Sequence, residues 1–146
     1  MHLAPRLLLV ATLLWPQARA SESAPATLYQ VTIETGMPHL EENLRYATTR
    51  ERRCLGRREL ASAFPILHHE SLKGCKLGHE SRHDETISYV LSCEGGNATT
   101  GAARWQVGPQ LLQGTFEVKL GGKNMTFYQR ITATPLGECV LPFASP

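Results

Sequence analysis

From Thr27 onward the chain alternates apolar and polar residues almost to its end, and that period of two commits it to β-strands. In Thr27–Thr35, Tyr29, Val31 and Ile33 take one side while Gln30, Thr32 and Glu34 take the other. Gly36-Met37-Pro38 interrupts the pattern, and Asn43–Arg53 reads as a second, strongly charged strand. Arg57–Phe64 is the one helical stretch, short and stopped by Pro65, and Ile66–Lys73 reads as irregular.

The second half reads as consecutive hairpins, and each turn can be tested by whether it keeps apolar residues on one face. A two-residue turn at Gly121-Gly122 sets Val118 opposite Met125, Phe116 opposite Phe127 and Leu112 opposite Ile131. A turn at Gly108-Pro109 sets Trp105 opposite Leu112 and Ala103 opposite Gly114. Between Ser88 and Trp105, a two-residue turn would mix the faces. A three-residue loop at Gly95–Asn97 pairs Ile87 with Trp105 and Tyr89 with Ala103, and a one-residue slip would invert every side chain. Pairing symmetric about Asp84 sets Leu77 opposite Leu91 and Cys75 opposite Cys93. The expected fold is mainly β: an antiparallel meander of about seven strands, curled or half-barrel, with one short helix. An open sheet cannot leave its oily face in water. It must curl, take the helix and the Ile66–Leu72 segment as a lid, or bind something.

Met1–Ala20 has the form of a secretory signal: a short basic start, an apolar Leu7–Trp15 stretch and an Ala18-Arg19-Ala20 cleavage pattern. A polar leader, 21–26, then precedes a single domain over 27–141 and a tail over 142–146. Export places Cys54, Cys75, Cys93 and Cys139 where thiols oxidise, so they read as two disulfides. Three connectivities are open to four cysteines; the hairpin register favours Cys75–Cys93, which leaves Cys54 for Cys139. No second apolar stretch is long enough to span a membrane. Removing Arg6 and Arg19 with the signal leaves thirteen Lys and Arg against thirteen Asp and Glu, a balance that gives no reason to expect nucleic-acid binding.

Leu28–Pro38 resembles the "L-W-E-V-T-V-x-x-x-M-P" opening of a bacterial exported family, domain-of-unknown-function family 3617, with Tyr29 at that family's Trp. Arg53-Cys54-Leu55 followed by Glu59-Leu60 is similar to its "Q-C-L-T-x-E-D-L" segment. Gly74-Cys75, Ser92-Cys93 and Gly137-Glu138-Cys139 resemble its remaining cysteine segments in order. The resemblance implies a periplasmic or secreted β-rich domain and carries no catalytic residues.

Four sets of residues are candidates for chemistry. His79 and His83 share a strand face if the strand is regular, and with Glu80, Asp84 and the nearby His68-His69 they offer donors suited to copper or zinc; the plain alternative is a polar hairpin tip. Arg50, Arg52, Arg53 and Arg57, with Arg45 and Arg58 alongside, could grip an oxyanion, or serve as the charged rim that keeps an edge strand from pairing. Tyr89, Trp105, Phe116 and Phe127 could line an apolar-ligand site, or be core. For catalysis, Ser88 and Ser92 lack a nucleophile elbow, and the acids Glu80, Asp84 and Glu85 sit at a turn with nothing to bury them. Asn97 and Asn124 fit the glycosylation pattern, which matters only in a eukaryotic secretory pathway. The expectation is an exported, periplasmic, non-catalytic binding domain, without cofactor, for an apolar small molecule or an envelope partner protein. A metal-handling protein using His79 and His83, or an uncharacterised hydrolase or isomerase, are the rivals.

Overall fold

The computed structural model describes residues 25–37, 46–95, 98–122 and 125–141. The expected signal (1–20), most of the expected leader, the expected tail (142–146), Arg45, Asn97 and Asn124 lie outside the described residues.

Seven antiparallel strands form one unclosed sheet: β1 (Pro25–Gly36), β2 (Tyr46–Leu55), β3 (Cys75–His83), β4 (Thr86–Cys93), β5 (Thr100–Val107), β6 (Leu112–Leu120) and β7 (Met125–Val140), in the order β2-β1-β7-β6-β5-β4-β3. Strands β3 to β7 meander, and β1 joins the far side of β7, so β2 and β3 are the two edges. The chain from β2 to β3 crosses the apolar side of the sheet as three 3-10 turns: Arg57–Ser62, Pro65–His68 and Glu70–Leu72. The expected short helix is present as the 3-10 helix Arg57–Ser62, and the segment expected to be irregular carries the other two 3-10 turns. Phe64 precedes Pro65, which pushes it to an extended backbone (φ −81°, ψ 111°) and keeps the first 3-10 helix from running on into the second.

Strand β1 takes in Pro25 and Ala26 from the expected leader. Two hairpin registers differ from expectation by two residues. Val118 faces Phe127 and Leu112 faces Ala133, while Trp105 faces Gly114 and Ala103 faces Phe116. Both connections span four residues; in the first, Gly108 N donates to Leu111 O at 3.0 Å, closing a loop that contains Pro109. A slip of two leaves every side chain on its expected face. The β4–β5 pairing of Ile87 with Trp105 and Tyr89 with Ala103 is as expected.

The β3–β4 hairpin reaches its expected disulfide by another route. Its turn holds only Asp84 and Glu85, with Asp84 at φ 51°, a value Asp tolerates in such turns. That turn alone would place Cys75 one residue out of register with Cys93. A bulge between Gly78 and Ser81, with His79 at φ 50°, restores it. Cys75 and Cys93 are bridged, with Cα atoms 4.0 Å apart. Cys54 and Cys139 form the second bridge, Cα atoms 6.0 Å apart and 85 residues apart in sequence, tying edge strand β2 to the end of β7 beside the start of β1.

Alternation decides which side is core. Val31, Ile33, Ile87, Tyr89, Leu91, Trp105, Phe116, Val118, Phe127 and Ile131 all point to the inner side and are buried. Leu60, Phe64, Ile66 and Leu72 descend on them from the 3-10 segment, each 6% exposed or less. Phe64 is at the centre, its ring centroid 5.1 Å from that of Trp105 and 5.3 Å from that of Phe116.

Candidate functional site

The four aromatics expected to line an apolar-ligand site are occupied as core. Tyr89, Trp105, Phe116 and Phe127 are at most 6% exposed, and the 3-10 segment fills the space above them. Polar bonds hold that lid in place. Trp105 Nε1 donates to Leu60 O at 3.0 Å. Gln129, the buried polar residue of the core, accepts from Ile66 N through Oε1 (3.1 Å) and donates through Nε2 to Thr35 Oγ1 (2.8 Å). Sequence reading missed Gln129. Its signal was an amide at an inward register between Phe127 and Ile131, where an unpaired polar group would be costly and a paired one fastens a partner. At one end of the core a depression of about 200 Å³ opens between Tyr29, Leu55, Leu60, Val107 and Leu112. It is smaller than the ~300 Å³ where small-molecule sites begin.

The four candidate arginines do not form one patch. Arg50 and Arg52 pair with Thr32 and Gln30 and lie exposed on the outer side of β2. Arg53 pairs with Tyr29 on the opposite side. Its Nη1 donates to Ala63 O at 2.8 Å and its Nε lies 3.5 Å from Glu51, so it ties the lid to the edge strand. Arg57 opens the lid, near Arg82, Asp84 and Glu85 around a depression of about 160 Å³.

The bulge also separates the histidines. His79 and Glu80 together stand opposite Tyr89, whereas His83 stands opposite Thr86, three positions along β4 and so on the other face. His83 Nδ1 is 2.9 Å from its neighbour Asp84, both exposed. Among the described residues no group of three or more His, Cys, Asp or Glu is placed to hold a metal ion. Beside the bulge, Glu80 bonds Arg82 through one carboxylate oxygen and accepts from Tyr89 OH through the other at 3.1 Å. The Arg82 hydrogen bond holds the Glu80 carboxyl below the usual range. Burial, then the bond to Glu80, pushes the Tyr89 phenol up to about 12. Neither group changes charge near neutral pH, so the trio anchors the end of β3 and is not a proton relay.

The outer side of the sheet is a second surface, and sequence reading did not weigh it. Cross-strand partners point the same way. One row runs Glu34–Arg130–Thr115–Arg104–Ser88, and the next Thr32–Thr132–Gln113–Gln106–Thr86. Arg104 and Arg130 are exposed, stand on either side of Thr115, and make no ion pair within 4 Å among the described residues. Arg130 sits over the Tyr128 ring instead, 5.3 Å from its centroid, although Glu34 is its partner in register. A depression of about 210 Å³ lies among Arg104, Gln106, Gln113, Thr115, Arg130 and Thr132. A second, of about 340 Å³, continues it past Arg104 and Thr115 towards Ser88 and Glu117.

The fold and these surfaces define a single-sheet, disulfide-stapled antiparallel β domain with a lidded core and a polar outer face. No family model, curated protein or solved structure matches the chain.

Proposed function

We propose that this chain is an exported, non-catalytic binding domain whose contact surface is the outer face of β4 to β7, and whose ligand presents oxyanions. One observation carries the reading: Arg104 and Arg130 flank Thr115 on an open surface and, among the described residues, neither lies within 4 Å of a carboxylate, although Glu34 faces Arg130 in register. Guanidinium recognises carboxylate, sulfate and phosphate with paired hydrogen bonds, and an unpaired one is free to do so. The apolar side supports the same choice, because its aromatics are already satisfied by Phe64 and the lid. Two disulfides suit an oxidising compartment, in keeping with the signal-like start.

Titration of 15N-labelled protein with sodium sulfate, followed by the arginine Nε–Hε resonances, tests the reading. Shifts at Arg104 and Arg130 are expected. Shifts confined to Arg50 and Arg52, or no shifts, would overturn it.

A further inference from the structure

Resting on that reading, we infer that the outer face takes an extended anionic polysaccharide, a sugar polymer bearing carboxylate or sulfate groups. The surface carries three kinds of group, and each suits one part of such a chain. Arg104 and Arg130 lie two strands apart, which spaces their backbones roughly 9.6 Å by the interstrand distance. That span is close to one disaccharide unit of an extended polymer, so charges on alternate sugars would meet successive guanidiniums.

Between and beside the arginines stand Thr115, Gln113, Gln106 and Thr132, all exposed and all neutral donors and acceptors. Two cations among four hydroxyl or amide side chains, with Glu34 in register with Arg130 and Glu117 beside Arg104 in the larger depression, make a low charge density. That composition suits a ligand rich in hydroxyls more than one with a phosphate at every unit.

Ring faces come third. Tyr46, Gly36 and Tyr128 are consecutive partners across β2, β1 and β7 on this same side. A Cβ on Gly36 would fall 2.2 Å from the Tyr128 ring, so the tyrosine lies flat over the glycine. Tyr46 is 62% exposed next to it. Arg130 already covers the Tyr128 ring, so Tyr46 is the ring left open to carry the apolar face of a sugar, since tyrosine offers a broad surface with a polar tip. The row continues on the same side of the sheet as the two depressions that share Arg104 and Thr115. A membrane surface would call for several protruding apolar side chains here, and the face presents mainly Thr, Gln and Arg, with Val90 exposed at the far end of the larger depression.

Calorimetry with the full mature chain decides the matter, using polygalacturonate, neutral dextran, a single-stranded DNA oligonucleotide and phosphatidylglycerol vesicles as probes. The expected result is binding to polygalacturonate, none to dextran, and weaker binding to DNA and vesicles. Arg104→Ala with Arg130→Ala should weaken polygalacturonate binding by about tenfold or more, the loss of two charged hydrogen-bonding groups. Arg58→Ala with Lys73→Ala, an equal loss of charge on the lid, should leave it unchanged. Tighter binding to DNA or to vesicles, equal binding to dextran, or an equal loss in both double variants would overturn the inference. Polygalacturonate that binds no better than dextran, while sulfate still shifts Arg104 and Arg130, would remove the polysaccharide and spare the outer-face reading. The absence of any sulfate shift would remove both.

Discussion

Trp105 lies flat across Gly114, its partner on the neighbouring strand, and a Cβ added to that glycine would come within 2.7 Å of the indole. The missing side chain lets the largest core residue lie down and receive Phe64. Gly114→Ala should therefore lower stability by about 1–3 kcal/mol through overpacking, read as a fall in the denaturation midpoint. Gly36→Ala, which meets the half-buried Tyr128 on the outer side, should cost less, because that ring has solvent to swing into.

Gln129→Leu removes the acceptor for Ile66 N and strands a buried donor. The cost should be about 1–3 kcal/mol. Amide exchange should accelerate first at Ile66, since the lid is what the glutamine holds. Uniform acceleration across the sheet would mean that lid and sheet open only together.

Peptide mapping under non-reducing conditions should recover Cys75 linked to Cys93 and Cys54 linked to Cys139. Replacing the second pair by serine should cost more. In the chain-entropy treatment the 85-residue separation is worth about 4.5 kcal/mol and the 18-residue one about 3 kcal/mol. Recovery of Cys54 linked to Cys75 would contradict the β3–β4 register.

Tyr89 supplies a pH signature. Its phenol is held to about 12 in the folded protein against 10.0 ordinarily, so the folded state keeps its proton longer than the unfolded chain. A raised folded pKa means the contribution is complete below the unfolded value. It then declines as pH rises from about 10 towards 12. Tyr89→Phe should lack that decline when urea midpoints are compared across the window. An identical decline in both proteins would show that neither burial nor the Glu80 bond raises the phenol.

The sheet was legible because one-face alternation constrains seven strands at once. Even where the Gly108 and Gly121 turns proved two residues longer than expected, the parity of the faces was unaffected. What escaped was set by single local events that alternation does not encode. The His79 bulge separated two histidines that a regular strand would align. The expected helix is wound as a 3-10 helix over Arg57–Ser62, a choice of hydrogen-bond spacing that so short a hydrophobic pattern does not encode. For the candidate surfaces, the aromatics and arginines stood out by type, yet their neighbours decided their roles: Phe64 over Trp105, and Ala63 O under Arg53. Arg104 and Arg130 lie 26 positions apart in the sequence, so no local motif joins them; only the β5–β6–β7 register does.

The central claim is that the aromatic side of the sheet is sealed core, which leaves the polar side for contact. Trp105 reports on it directly, because the other tryptophan, Trp15, lies in the predicted signal. Acrylamide quenching of the protein made without residues 1–20 should be several-fold weaker than that of free tryptophanamide, with a blue-shifted emission that added fatty acid leaves unchanged. Ready quenching, or an emission that moves when fatty acid is added, would contradict the account.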